Sequence, residues 1–267
     1  MIHMMNRRDV LRSLGALLLP FMPARWALAE SAAEDFRFVA INDLHYQDAA
    51  CTPWFEAVVE SVKKLSPAAD FCLLCGDLTE LATPEEMAGI RDVFGKLGIP
   101  VYAVPGNHDN DFKGGRTVYD QFYPGQTNQC FKHKGWQIIG LDTTEDRKWN
   151  ETTIAHSTLD WLDGALKKLD AGKPTIVFTH FPLGEGVKHR PLNAGSVLDR
   201  FKGWNLQASF SGHWHGYSER VVGEATLTTG RCCARLRKNH DGSTQKGWFL
   251  CEAAKGRVTR TFVETNG

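Results

Sequence analysis

The chain has 267 residues, 42% of them hydrophobic, which is enough to bury the core of one sizeable globular domain; no repeat or low-complexity tract divides it. Lysine plus arginine equals aspartate plus glutamate at 31 each, so no net field draws the protein to nucleic acid or to an anionic membrane. An anionic ligand must be held by local charge instead.

The amino terminus reads as an address. Arg7 and Arg8, within Asn6-Arg7-Arg8-Asp9-Val10-Leu11-Arg12, precede the apolar stretch Leu14 to Met22, and Ala27-Leu28-Ala29 supplies the small residues a signal peptidase reads. The pattern resembles a twin-arginine export signal, with Val10 where Phe or Leu is commoner. Cleavage after Ala29 is expected, which makes residues 1–29 a signal peptide and residues 30–267 one folded domain. The twin-arginine export machinery is the expected partner, and the expected location is periplasmic or secreted. Pro20, Pro23 and the brevity of the apolar run argue against a spanning helix, so no stable membrane anchor is expected.

Beyond the leader, Phe36 to Asn42 is a β-rich apolar run, Pro53 to Leu65 has helical spacing after Thr52, and Asp70 to Cys75 is a second strand. Cys72 and Cys75 have redox or zinc spacing, but three residues apart in a strand they face opposite sides, as core cysteines do. The odd total of seven cysteines leaves at least one thiol unpaired, and their spacing gives no connectivity. Pro84 to Leu97 is predicted helical, with Thr83 as N-cap, Pro84 in the first turn and Gly98 as the stop. Val101 to Val104 and Gly135 to Leu141 are further strands. Leu159, Trp161, Leu162, Leu166 and Leu169 recur at helical intervals before Gly172. Thr175 to Phe178 is a buried strand, and the irregular stretch Gly184 to Asn193 carries His189 and Arg190 on a loop placed to border a bound ligand. From there strands dominate: Leu206 to Phe210, Tyr217 to Val222, Ala225 to Thr229, Gly247 to Glu252 and Arg257 to Val263. Alternating strands and helices followed by strands suggest an α/β fold of two packed sheets with helices outside.

Five polar motifs punctuate these elements: Asp43-Leu44-His45, Gly76-Asp77, Gly106-Asn107-His108-Asp109, Thr179-His180 and Gly212-His213-Trp214-His215. Each ends a predicted strand or closely follows one, where the loops of an open α/β sheet converge on a ligand. By chance Gly-Asn-His-Asp is expected about 0.002 times and Gly-His-x-His about 0.04 times, so these two carry the weight. Asp43 and His45, two apart in an extended segment, should point the same way, as should His213 and His215. Together the motifs offer enough oxygen and imidazole donors for two adjacent metal ions.

The series resembles the calcineurin-like metallophosphoesterase superfamily over nearly all of residues 36 to 222, and within it the class III cyclic-nucleotide phosphodiesterase group. The resemblance implies a metallo-dependent phosphatase-like fold, a four-layer α-β-β-α sandwich of two packed mixed sheets. It implies that Asp43, His45 and His215 hold a first metal, that Asn107, His180 and His213 hold a second, and that Asp77 bridges them. It further implies that His108 faces the substrate phosphate and that Asp109 orients its ring. By resemblance Mn and Fe come first, and the nitrogen and oxygen donors also suit Zn. Purple acid phosphatases replace the first His and carry a Tyr ligand shortly after their Gly-Asp; here His45 is present and Leu78, Thr79 and Glu80 follow Asp77, so a tyrosinate-bound iron centre is not expected.

Two divalent ions, the carboxylates of Asp43 and Asp77 and a bridging hydroxide leave a site of about +1, suited to a phosphodiester monoanion. The expected substrate is a small-molecule phosphoester, a diester ahead of a monoester, and no nucleic-acid polymer. A broad phosphomonoesterase is the alternative, and a non-catalytic metal-binding scaffold is a third reading. His133, His156, His189 and His240 lie outside the motifs. Trp54, Trp161, Trp204 and Trp248 read as core or interface aromatics, and Trp214 as a wall of the pocket.

Overall fold

The computed structural model describes residues 33–265; the expected export signal lies outside the described residues. Among those described, no helix is long and apolar enough to cross a membrane. The strands of the first half are β1 (Phe36–Ile41), β2 (Phe71–Cys75), β3 (Val101–Val104), β4 (Gln129–His133) and β5 (Trp136–Leu141). They are followed by β6 (Thr175–Thr179), β7 (Leu206–Ser211), β8 (Ser218–Val222), β9 (Ala225–Thr229), β10 (Gly247–Ala254) and β11 (Arg257–Glu264). The helices are α1 (Thr52–Lys63), α2 (Pro84–Gly95), α3 (Thr117–Phe122), α4 (His156–Leu166) and α5 (Gly195–Arg200). One sheet has the order β11-β10-β1-β2-β3, the other β4-β5-β6-β7-β9-β8. Both are mixed: parallel centres are flanked by antiparallel partners, β10 on β1 and β4 on β5 among them.

Strand alternation sorts the apolar residues into three layers of core. Val39, Ile41, Cys72 and Leu74 face the helices α1 and α2. Phe38, Ala40, Leu73 and Cys75 face Ile138, Ile176, Phe178 and Phe210 of the second sheet. Ile139, Leu141 and Val177 face α4 and α5 through Leu159, Leu162 and Val197. The result is the expected α-β-β-α sandwich. At its centre Phe38 stacks on Phe71 with ring centroids 5.3 Å apart and meets Phe210 edge-on at 5.6 Å. Burying such a ring contributes about 1.5–3 kcal/mol.

The helices form for local reasons that the sequence already carries. In α1, Phe55, Val58, Val59 and Val62 make one buried stripe at helical spacing. In α2, Thr83 accepts a hydrogen bond from Glu86 N at 3.2 Å, Pro84 opens the first turn, and Met87, Ile90, Val93 and Phe94 are buried. Cys72 and Cys75 are buried on opposite faces of β2, and burial pushes both thiols up, which fits core residues and not a redox pair. All seven cysteines are free.

Three elements were not expected. β4 is an edge strand whose alternate residues are exposed, and α3 and α5 have only six residues each. β4 and β5 form a hairpin whose turn is tied to the other sheet: Asp70, just before β2, lies 2.7 Å from both His133 Nε2 and Lys134 Nζ. The helix expected around Leu159 to Leu169 starts at His156 and ends at Leu166.

The parallel strands set up the site. Ile41 pairs with Leu74 and Cys75 with Val104 in one sheet; Leu141 pairs with Thr179 and Phe178 with Phe210 in the other. Each strand's carboxyl end therefore delivers its motif beside that of its neighbour.

Candidate metal centre

The turns that carry the motifs are not extended, as the spacing had suggested. Asp43 (φ 53°), His45 (φ 46°), Asp77 (φ 50°), His213 (φ 67°) and His215 (φ 50°) all adopt left-handed backbone. A residue with a side chain held there stores about 1–3 kcal/mol, and such strain gathers where function over-determines geometry. Convergence thus comes from coiled turns, not from strand alternation. Main-chain bonds lock them: Leu44 N and His45 N both donate to Asp77 O, at 2.8 and 2.9 Å. The motif glycines permit close approach. A Cβ on Gly106 would stand 2.1 Å from Asp77 Oδ1, and one on Gly212 would stand 2.4 Å from Asp43 Oδ2.

Three donor groups result among the described residues: two share Asp77, and the third, His45 with Glu80 and His108, borders them. Asp43, His45, Asp77 and His215 offer ligand atoms within 4.8 Å of one another, and so do Asp77, His180 and His213. Asp77 Oδ2 lies 3.4 Å from His45 Nε2, while Asp77 Oδ1 lies 3.3 Å from His180 Nε2. Asn107 Oδ1 joins the second group, 3.2 Å from His180 Nε2. All seven residues proposed as ligands from sequence are therefore brought together.

The outer ring nitrogens show that these donors suit cations. His180 Nδ1 is 3.0 Å from Cys75 O, His213 Nε2 is 2.7 Å from Trp149 O, and His215 Nδ1 is 3.2 Å from Lys238 O. A carbonyl only accepts, so each outer nitrogen carries a proton, and the inner nitrogen of a neutral ring is left free to bind a cation. His45 Nδ1 lies 3.1 Å from Glu80 Oε2 but makes no aligned hydrogen bond. The inner atoms then face one another: His45 Nε2 and His215 Nε2 are 3.1 Å apart, and His180 Nε2 and His213 Nδ1 are 3.2 Å apart. Two neutral rings would set lone pair against lone pair at that separation, which a proton or a metal ion between them relieves. The nitrogen and oxygen donor set fits divalent metal ions.

Charge at the centre points the same way. Burial pushes the Asp43 carboxyl up, but His215 and His180 outweigh it and hold the group well below the usual carboxylate range. Burial likewise opposes ionised Asp77, and His180 and His108 overcome it. Burial disfavours charge on His180, yet Asp77 and Asp43 push its ring up to about 9. His213, buried beside His180, is pushed down to about 3. Two buried carboxylates in one cluster demand positive charge, which the neighbouring imidazoles provide and which divalent ions would also supply.

His108 lies beside the donors, its ring 4.7 Å from that of His45. Its Nδ1 is 2.8 Å from Glu80 O and 3.6 Å from Glu80 Oε1. The expectation that Asp109 orients this ring is corrected: the Asp109 carboxylate accepts from Leu78 N at 3.0 Å, Thr79 N at 2.9 Å, Thr79 Oγ1 at 2.9 Å and Gly106 N at 2.8 Å. Asp109 points into the buried main chain that spaces Asp77 from Asn107. Burial and the Asp77 charge push its carboxyl up to about 6. Arg147 completes the cradle, donating from Nη1 to His108 O at 3.0 Å and Asn110 O at 2.9 Å, and from Nη2 to Glu80 O at 3.3 Å.

A cavity of about 480 Å³ opens over the donors. His108, His189 and His213 line it, and the loop that carries His189 borders it as its irregular sequence leads one to expect. Arg147, Trp149, Arg237 and His240 line it too, and none of these was foreseen. Trp149 takes the wall position expected of Trp214, whose indole nitrogen is buried without a partner, away from the cavity lining. Glu80 was also missed, although it contacts His45, His108 and Arg237. Only its place three residues after Asp77 could have hinted at this.

A donor cluster at the strand ends of a double-sheet sandwich places the chain among the metallo-dependent phosphatase folds. Residues 36–217 match the calcineurin-like phosphoesterase family, and the chain belongs to that family. A 3′,5′-cyclic-nucleotide phosphodiesterase of Nostoc sp. is 29% identical over 179 residues, covering 66% of this chain and 62% of that protein. A glycerophosphodiester phosphodiesterase of Enterobacter lignolyticus is 28% identical over 192 residues, covering 64% of this chain and 65% of its own. The chain thus spans somewhat less than two thirds of the length of these curated relatives. A purple acid phosphatase from yellow lupin shares the fold at a TM-score of 0.62, with 12% identity over 88% of this chain and 52% of that one.

Proposed function

We propose that the protein is a phosphodiesterase that works with two divalent ions. Asp43, His45 and His215 would hold one ion, Asn107, His180 and His213 the other, and Asp77 would be shared between them. The observation that carries this reading is the Asp77 carboxylate, which presents one oxygen to His45 and the other to His180. When bound, the ions supply a hydroxide nucleophile near neutral pH and offset charge on the phosphoryl oxygens. Mn and Fe come first by family resemblance, with Zn also suited.

The chain's own groups do the rest. With Nδ1 spent on Glu80 O, His108 has Nε2 left for the substrate. His108 Nε2 steadies the phosphate and delivers a proton to the leaving oxygen. Asp109 acts on structure, holding the Leu78–Thr79 and Gly106 main chain so that Asp77 and Asn107 keep their separation. Among the cavity-lining residues Asp77 is the only carboxylate, so a phosphodiester monoanion meets no other negative wall. Cyclic nucleotides are the favoured substrate class, supported by the motif resemblance and by the name of the Nostoc relative.

A panel of metals against substrates tests this reading. Bis(p-nitrophenyl) phosphate should be turned over with added Mn²⁺ and faster than p-nitrophenyl phosphate. The reverse order would make the protein a phosphomonoesterase, and no turnover with any metal would remove both readings. Export by the twin-arginine machinery to the periplasm or beyond belongs to the same proposal and is supported by the residue pattern of positions 1–29.

A further inference from the structure

Trp149 is 61% exposed, so its indole has no packing role in the core, yet it stands at the wall of the cavity above the donors. An isolated exposed tryptophan needs no explanation, but this one is held in place from two sides. Its carbonyl accepts the hydrogen bond from His213 Nε2, and the next residue, Asn150, places Oδ1 3.1 Å from His189 Nδ1. The His189 ring lies 5.3 Å from the Trp149 ring at 65°, and 5.5 Å from the His213 ring. Indole and imidazole thus form an aromatic corner one ring away from the donor nitrogens. His189 keeps this position with left-handed backbone, at φ 60°.

We propose that Trp149 and His189 form a subsite for a planar ring attached to the phosphate, a nucleobase or aryl group stacked on the indole. Every nucleobase has a π-face, and stacking on an aromatic side chain is tolerant of which base is offered. A glycerol or alkyl substituent gains nothing comparable. The subsite rests on the phosphoester reading of the adjacent centre and narrows its substrate to nucleoside or aryl esters.

Calorimetric binding to the metal-loaded chain tests the subsite without requiring turnover. AMP and ribose 5-phosphate carry the same phosphate and differ by the base. Wild type should bind AMP about tenfold to a hundredfold more tightly than ribose 5-phosphate. Trp149→Ala, which keeps the carbonyl on His213, should bring that ratio near one, and Trp149→Phe should retain most of it. His189→Ala leaves the indole in place and should lower the ratio by a smaller factor. A ratio near one in wild type, no binding of either ligand, or a ratio unmoved by Trp149→Ala overturns the proposal. A clear AMP preference without turnover of any diester would remove the phosphodiesterase reading and leave the subsite standing.

Discussion

His108 Nδ1 lies 2.8 Å from the main-chain oxygen of Glu80. The contact fixes the tautomer and the plane of the ring, and it is made by a residue that the Gly106-Asn107-His108-Asp109 motif does not contain. Whatever His108 does to a phosphate is therefore set by the chain after Asp77 as much as by its own turn.

Replacing His108 by Ala should slow diester turnover by about 10²–10⁴-fold, the range of a positioned acid or base. Metal content should stay near wild type, because the ring contributes to neither proposed ion site. Elemental analysis beside steady-state kinetics checks both halves; full activity in the variant would take His108 out of the reaction.

Arg147 holds His108 O and Glu80 O from one guanidinium, so it positions both the His108 backbone and the carbonyl its ring bonds. Arg147→Gln should lower kcat by about tenfold to a hundredfold, as small misplacements of a catalytic group do, with metal content preserved. Combined with His108→Ala it should add little further loss. Additive losses in that double-mutant cycle would mean that Arg147 acts on substrate independently.

Asp77→Asn removes charge from the one carboxylate shared by the two proposed ion sites. Outer partners of metal ligands alone are worth about 10–100-fold in affinity, so a shared ligand should cost at least that much. Metal retained after dialysis, measured by elemental analysis, should fall for both ions together. Retention of both at wild-type levels would show that Asp77 bridges nothing.

Asp70 joins the two sheets through His133 and Lys134, and although burial opposes its charge, these partners hold its carboxyl below the ordinary value. A depressed carboxyl stabilises the fold above the unfolded pKa and loses that contribution as pH falls through the folded one. Asp70→Asn should therefore cost about 0.5–1 kcal/mol at neutral pH, and the difference from wild type should shrink on acidification below about pH 4. Urea unfolding at two pH values measures it. A gap that widens in acid would contradict the assigned pair.

What was legible in the sequence follows from physical range. Strands such as Phe36–Ile41 and Phe71–Cys75 are apolar on both faces because each is packed on both sides, and α2 carries its cap and proline in sequence. β4 was hidden because an edge strand exposes alternate residues, and six-residue helices such as α3 show too little periodicity. The seven donors were readable as residue types at strand ends. The partners of His108 were not: Glu80 and Arg147 reach it only through tertiary folding, while Asp109, adjacent in sequence, turns into the protein. Trp149 likewise replaces Trp214 at the cavity because neighbouring a ligand in sequence does not place a side chain beside it in space.

The central claim, two ions held on either side of Asp77, is tested most directly by titrating the metal-free chain with Mn²⁺ while following bis(p-nitrophenyl) phosphate turnover. Activity should climb to a plateau at about two equivalents per chain, as a two-metal centre requires. A plateau at one equivalent, or turnover that does not depend on added metal, would contradict it.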